Sequence, residues 1–327
     1  MSVRSVVAFA QSSVVFLCMA ASKVAALIMS GAFFFRARYY ISLSYEDQRK
    51  GISMKDNIRI AIIQPKPYPL FDDPRNIGHA LQLMEKCRGE ELDVICFPEY
   101  FPFMGEREMG SAARKFKCYL IAGMVEEEGG KLYNTATLFN RAGRVAGRQR
   151  KFNVPALECD RLGISSGDGV FKVFATDFGK LGMPVCIDFW GQPEAGRQMS
   201  EQGVDIVFNP SLFPVLRGHW KTGAMVRAFD NFVPVVGINV ADYNAVFGEK
   251  RVHQYGGGSF ILQPPKMLDK DDFNQWVRGL DNIENWVQVE LDELEQVYIA
   301  ELNLTAARRF RIDFFKRFGF RGPYGER

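Results

Sequence analysis

The chain has no C-x-x-C pair, no Cys/His cluster at zinc-ligand spacing, and three histidines in 327 residues. Its six cysteines (Cys18, Cys87, Cys96, Cys118, Cys159, Cys186) stand far apart, which excludes a disulfide framework and a zinc or iron-sulfur site as readings of the sequence. They read as reduced, intracellular thiols, and the metal expectation is none. Excess charge is also missing: the formal balance is +3 with acidic and basic residues interspersed, so there is no electrostatic footprint of a nucleic-acid binder. Internal repeats and low-complexity tracts are absent as well. What is present is 47% hydrophobic residues, enough for a substantial core, and the expected partner is a small molecule of modest charge.

Residues 1–53 differ in composition from everything after them. Between Ser5 and Phe35 the only charge is Lys23, and the run 14–35 is long enough to span a bilayer as a helix. A central lysine costs about 2.5 to 3.5 kcal/mol on insertion scales, while each Leu, Ile, Phe or Val returns only about 0.3 to 0.6, so insertion is close to neutral. Three readings stay open for this apolar N-terminal extension: an anchor or assembly segment, a start of synthesis at Met54, and a cleaved signal. The expected division is therefore 1–53 for the extension and 54–327 for the functional domain, with a cytoplasmic location and membrane association through residues 14–35 under the anchor reading.

From Asn57 onward, short apolar strands alternate with amphipathic stretches, the signature of an α/β layer fold. Strands are expected at 57–64 and 93–97, with a helix over 75–88 between them. Residues 118–127, 133–140 and 144–150 read as a β-meander joined by glycine turns. A hairpin turning at Asp177 to Lys180 then leads up to Cys186. Helical stretches at 194–203 and 220–232 alternate with strands at 205–208 and 233–239.

Three reactive side chains fall just past expected strand ends: Glu99, Lys151 and Cys186. Open α/β sheets keep their sites there. A thiol becomes a useful nucleophile at neutral pH only when a base takes its proton or a cation lowers its pKa, and Glu99 and Lys151 can supply one each. On these residues alone, a solvated loop acid and a buried structural cysteine compete with the catalytic reading. His79, His219 and His253 lack a context that would mark a Cys-His partnership.

The stretches "CFPEYF", "GRQRKFNVP" and "MPVCIDFWGQPE", in that order, resemble the nitrilase (carbon-nitrogen hydrolase) superfamily. Further likeness lies in "GVDIVFNPSLF", in Trp220 with "VRAFDN", and in "GGGSFILQP", so that it runs from about Ile58 to Asn303. The resemblance implies the family's four-layer αββα sandwich, a homo-oligomer of at least two copies, and no cofactor. It implies Glu99 as general base, Lys151 as cationic stabiliser, Cys186 as nucleophile and Glu158 as an assisting acid. The backbone N-H of Ile187 would join Lys151 in holding the developing oxyanion. Tyr100, Phe103, Phe189 and Trp190 flank this set as candidate pocket walls, although aromatics near strand ends are as often plain core.

Three departures stand out against the family pattern. No arginine follows the cysteine in "CIDFWGQPE", Asp230 replaces a usual glutamate, and "PPK" at 264–266 stands where a Pro-x-Gly turn is common. The implied reaction is hydrolysis of a small amide or carbamoyl compound through a thioester, releasing ammonia or an amine. A true nitrilase is the alternative, disfavoured because a nitrilase-like cysteine context usually reads Cys-Trp-Glu. A weakly active relative kept as a membrane-recruited binding protein is the rival from another class.

Overall fold

In β1 (Asn57–Gln64), Ile58, Ile60 and Ile62 point to one face and Ala61 and Ile63 to the other, and both faces are buried. A strand of this kind needs cover on both sides, so its sheet must lie inside a layered structure. The computed structural model describes residues 55–309 and 311, apart from 71, 214–216, 248–249, 255 and 265–282. The apolar run 14–35, the expected boundary at 53 and 54, Cys18 and the 265–266 part of "PPK" lie outside the described residues. No helix among the described residues is long and apolar enough to cross a membrane.

After β1 come α1 (Arg75–Glu85), β2 (Val94–Cys96), β3 (Pro102–Phe103) and α2 (Glu106–Phe116). The meander β4 (Tyr119–Glu128), β5 (Lys131–Phe139) and β6 (Val145–Arg150) follows, then α3 (Ala156–Leu162). The chain continues through β7 (Val173–Ala175), β8 (Lys180–Gly182), α4 (Ile187–Trp190), α5 (Pro193–Glu201), β9 (Ile206–Pro210), α6 (Arg217–Asn231) and β10 (Val235–Ile238). It closes with the hairpin β11 (Tyr243–Phe247) and β12 (Lys250–Gln254), then β13 (Phe260–Leu262), β14 (Val287–Glu290) and β15 (Gln296–Asn303).

Two sheets result. The first runs β15-β1-β2-β4-β5-β6 with β3 beside β4, and the second runs β14-β13-β10-β9-β8-β7. Ile58, Ile60, Ile121 and Leu138 of the first sheet meet Leu181, Ile206, Phe208, Val236 and Ile261 of the second in a shared interior. On the outer face of the first sheet, Ile63, Ile95 and Leu120 pack with Leu83, Met84, Met109 and Ala113 of α1 and α2. On the outer face of the second, Val207, Val235 and Phe260 pack with Ala195, Met199, Trp220 and Ala228 of α5 and α6. This is the four-layer αββα sandwich that the resemblance implies. At one end Gln64 links the sheets: its side-chain oxygen accepts from the Ser259 backbone N-H (3.1 Å) and hydroxyl (2.7 Å).

The expected strands and helices agree with those observed to within a few residues, and β3, α2, α3, α4 and β11 to β15 are additional. α2 buries Met109 with Gly110, Ala112 and Ala113, small residues that leave little apolar stripe to read, and α3 has no fully buried residue. The expected hairpin exists as β7 and β8, but it ends at Gly182. Cys186 is not on the strand; it lies in the loop that enters α4.

Candidate active site

The carboxyl ends of the two sheets meet where the reactive residues fall. Glu99 lies past β2, on a segment that carries positive φ at Tyr100 (60°) and Phe103 (77°) and a cis bond between Phe101 and Pro102. Room for this segment depends on β4. A Cβ at Gly123 would stand 2.2 Å from the Pro98 carbonyl oxygen, 2.5 Å from the Tyr100 nitrogen and 2.8 Å from the Glu99 backbone carbon. Gly123→Ala is therefore expected to push the Glu99 backbone aside and lower kcat/KM by about 10²-fold, the usual cost of a misplaced catalytic group. Steady-state kinetics together with circular dichroism measures this, and a wild-type kcat/KM would refute the close-approach argument.

Glu99 is 1% exposed and fully engaged. Its Oε1 accepts from Lys151 Nζ at 2.8 Å and from Asn134 Nδ2 at 2.7 Å, and its Oε2 accepts from the Leu212 backbone N-H at 2.7 Å. Lys151, at 2% exposure, follows β6, and its backbone N-H donates to the Asn134 carbonyl. Its ammonium also donates to Glu158 on α3, which in turn accepts from the Tyr100 hydroxyl and, at 3.1 Å, from Asn134 Nδ2. Two carboxylates thus share one lysine and one amide.

Cys186 adopts φ 48° and ψ −119°, a backbone that a residue with a side chain reaches only when its surroundings impose it. Its N-H donates to the Pro210 carbonyl at 2.8 Å, and its own carbonyl accepts from Asn209 Nδ2 at 3.1 Å. Asn209 is itself fixed by Trp220 Nε1, which donates to its Oδ1 at 2.9 Å. The Ile187 N-H has no hydrogen-bond partner among the described residues. Asp188, fully buried, accepts from the Phe152 N-H, the Asn153 N-H and Asn153 Nδ2, each at 2.8 Å. That contact ties the segment after Lys151 to the helix after Cys186.

Electrostatics follow from this enclosure. Burial pushes the Cys186 thiol up to about 12, Glu99 adds to the rise, and Lys151 opposes it. Burial likewise raises Glu99 above the usual carboxylate range; Lys151 pulls it down and Glu158 pushes it up. Burial disfavours the charge on Lys151, but Glu99, Cys186 and Glu158 more than offset this and hold it above an ordinary lysine. The resting set is a protonated thiol beside a carboxylate of enhanced basicity and a permanent cation.

Of the residues anticipated from the sequence, Glu99, Lys151, Cys186 and Glu158 come together here, with Ile187 next to the thiol residue. Tyr100 joins through its hydroxyl and stacks on Phe103 at 5.8 Å between ring centres. Trp190 packs edge-on against Phe213 at 5.0 Å. Phe189 lies elsewhere: it is fully buried among Trp220, Ala224 and Val207, in the layer between the second sheet and its helices. Asn134, Asp188, Asn209 and the Leu212 N-H were not anticipated. "FNPSLF" and Trp220 marked two of these places as family-like without showing that their polar groups hold Cys186 and Glu99.

The chain is a member of the carbon-nitrogen hydrolase family, whose profile matches residues 59–265. It is 27% identical over 232 residues to an omega-amidase of Xenopus tropicalis, covering 63% of this chain and 81% of that protein. It is 25% identical over 283 residues to a nitrilase of Pyrococcus abyssi, covering 79% and 96%. The crystal structure of a carbon-nitrogen hydrolase from Helicobacter pylori superposes with a TM-score of 0.67 at 21% identity, over 81% of this chain and 97% of that one.

Proposed function

We propose that this chain is an amidohydrolase that cleaves a small, non-peptide amide or carbamoyl compound through a thioester on Cys186. One observation carries the reading: a buried carboxylate and a buried ammonium, 2.8 Å apart, both act on the charge of the Cys186 sulfur. Glu99 takes the thiol proton as the sulfur attacks the carbonyl carbon. The negative charge moves to the carbonyl oxygen, where Lys151 and the Ile187 N-H receive it; preorganised donors of this kind are worth about 3 to 4 kcal/mol each. Collapse breaks the C-N bond, and Glu99 returns its proton to the departing ammonia or amine. Water, deprotonated by Glu99, then attacks the thioester, and release of the acid restores the thiol. The names of the relatives above support both amides and nitriles as substrate classes for the family; the cysteine context favours amides here.

The charge of the site narrows the acyl group. Glu99 and Glu158 are two carboxyl groups that share the single ammonium of Lys151, and the stretch "CIDFWGQPE" holds no arginine. Nearby walls include Tyr100, Tyr243, Val240 and Ile164. A neutral acyl chain is expected to give a kcat/KM about 10-fold or more above that of its isosteric ω-carboxylate, because two carboxyl groups against one ammonium disfavour the anion. Ammonia release from paired amides, carbamoyl amines and nitriles measures this. Faster turnover of the ω-carboxylates would overturn the charge argument, and turnover of nitriles alone would overturn the amide assignment.

A further inference from the structure

Asn134 lies mid-site on β5, with no exposure and an unusual set of contacts. Its Nδ2 carries two N-H bonds and stands 2.7 Å from Glu99 Oε1 and 3.1 Å from Glu158 Oε2. Its backbone carbonyl accepts the Lys151 N-H at 2.8 Å, so one residue touches all three charged partners. The side-chain oxygen, Oδ1, is buried and has no hydrogen-bond partner among the described residues. A buried acceptor left unmade is costly, so this orientation persists because the alternative is worse. Rotating the amide by 180° would aim Oδ1 at two carboxylates. The amide is oriented by the two acids and in turn bridges them.

We infer that Asn134 is a positioning residue of the proposed hydrolysis: its amide holds the Glu99 and Glu158 carboxylates in register and so keeps Glu99 placed for the Cys186 thiol. The inference rests on the function proposed above. Lys151 binds Oε1 of each acid, while the Leu212 N-H holds the other oxygen of Glu99 and the Tyr100 hydroxyl the other oxygen of Glu158. Those two contacts fix each acid separately; the Asn134 amide, which touches Oε1 of Glu99 and Oε2 of Glu158, joins Lys151 in tying one carboxylate to the other. Glu99 is faced by Lys151 from the end of β6, Glu158 and Tyr100 across the site, Cys186 before α4, Tyr243 of β11 and the Leu212 N-H. The donors to Glu99 are Lys151, the Leu212 N-H and Asn134 itself. Loss of the Asn134 contact therefore favours the protonated acid, in agreement with the direction in which this hydrogen bond acts on Glu99.

The test reads Glu99 without needing a substrate. The rate of Cys186 alkylation by iodoacetamide, followed by peptide mass spectrometry across pH, is expected to show an acid limb set by Glu99, and Glu99→Gln should remove it. In Asn134→Leu the limb is expected to move to higher pH. In Asn134→Asp, which keeps the shape and adds a third carboxylate, it should move further in the same direction. With an amide that the wild type turns over, kcat should fall roughly 10- to 100-fold in both variants, as for a lost hydrogen bond to a charged group. Asn134→Asp carries the test should the leucine variant not fold. A limb that stays in place while stability drops means a purely structural role and overturns the inference. A wild-type limb unaffected by Glu99→Gln overturns the catalytic reading and the inference with it.

Discussion

Cys186→Ala is expected to abolish turnover, lowering kcat by about 10⁴-fold or more, as loss of a nucleophile does in other covalent hydrolases. The variant should fold. Cys186 is 5% exposed in the interior between the sheets, and removing its sulfur leaves the contacts of its backbone with Pro210 and Asn209 in place. Intact-mass spectrometry during turnover should show an acyl adduct on the wild type and none on the variant. The other described thiols are placed differently: Cys87 and Cys118 are buried between the first sheet and its helices, Cys96 lies within β2, and Cys159 is exposed on α3, whereas Glu99 and Lys151 both act on Cys186. Full turnover by Cys186→Ala would end the thioester reading.

Lys151→Met should be nearly as damaging, for two separable reasons. It removes the cation offered to the developing oxyanion, a loss of roughly 10²- to 10³-fold in kcat. It also leaves Glu99 and Glu158 facing each other without their shared counter-charge, and breaking a buried pair in this way costs about 3 to 5 kcal/mol. The pH dependence has a definite sign. Glu99 already lies above its ordinary value through burial, with Lys151 pulling it down, so removing Lys151 raises it further. A carboxyl with a raised folded-state pKa contributes stability that is present below its unfolded value and lost as pH rises through the folded one. The variant should thus lose melting temperature steeply from mildly acidic toward neutral pH, where the wild type loses less. The acid limb of any residual activity should lie at higher pH. Thermal melts across pH and single-turnover kinetics measure both effects, and an unchanged kcat would remove Lys151 from the mechanism.

Much of this architecture was legible from local pattern. β1 and the β4 to β6 meander announce themselves because a strand's side chains alternate and its turns need glycine, and both signals are written in neighbouring residues. α2 was hidden because its buried face is built from Gly110, Ala112 and Ala113, which let the helix approach the sheet but carry little apolar signal. β15 gives no local hint that it pairs with β1 all along from Asn57 opposite Asn303 to Gln64 opposite Gln296.

The same division holds at the site. By itself the sequence determined the α/β class, the order of the three motifs and the candidates Glu99, Lys151 and Cys186, since residue type and position past a strand end are local properties; Glu158 came from the resemblance to the family. Only the tertiary structure decided what holds them. Asn134 reaches Glu99 across 35 positions, the Leu212 N-H reaches it across 113, and Asp188 grips the segment after Lys151 across 36 and 35. An asparagine, an aspartate or a backbone N-H is chemically ordinary anywhere in a chain. Each acquires its role when two sheets bring distant loops together in a buried space, where an unpaired charge is costly and hydrogen bonds fix the direction of a carboxylate.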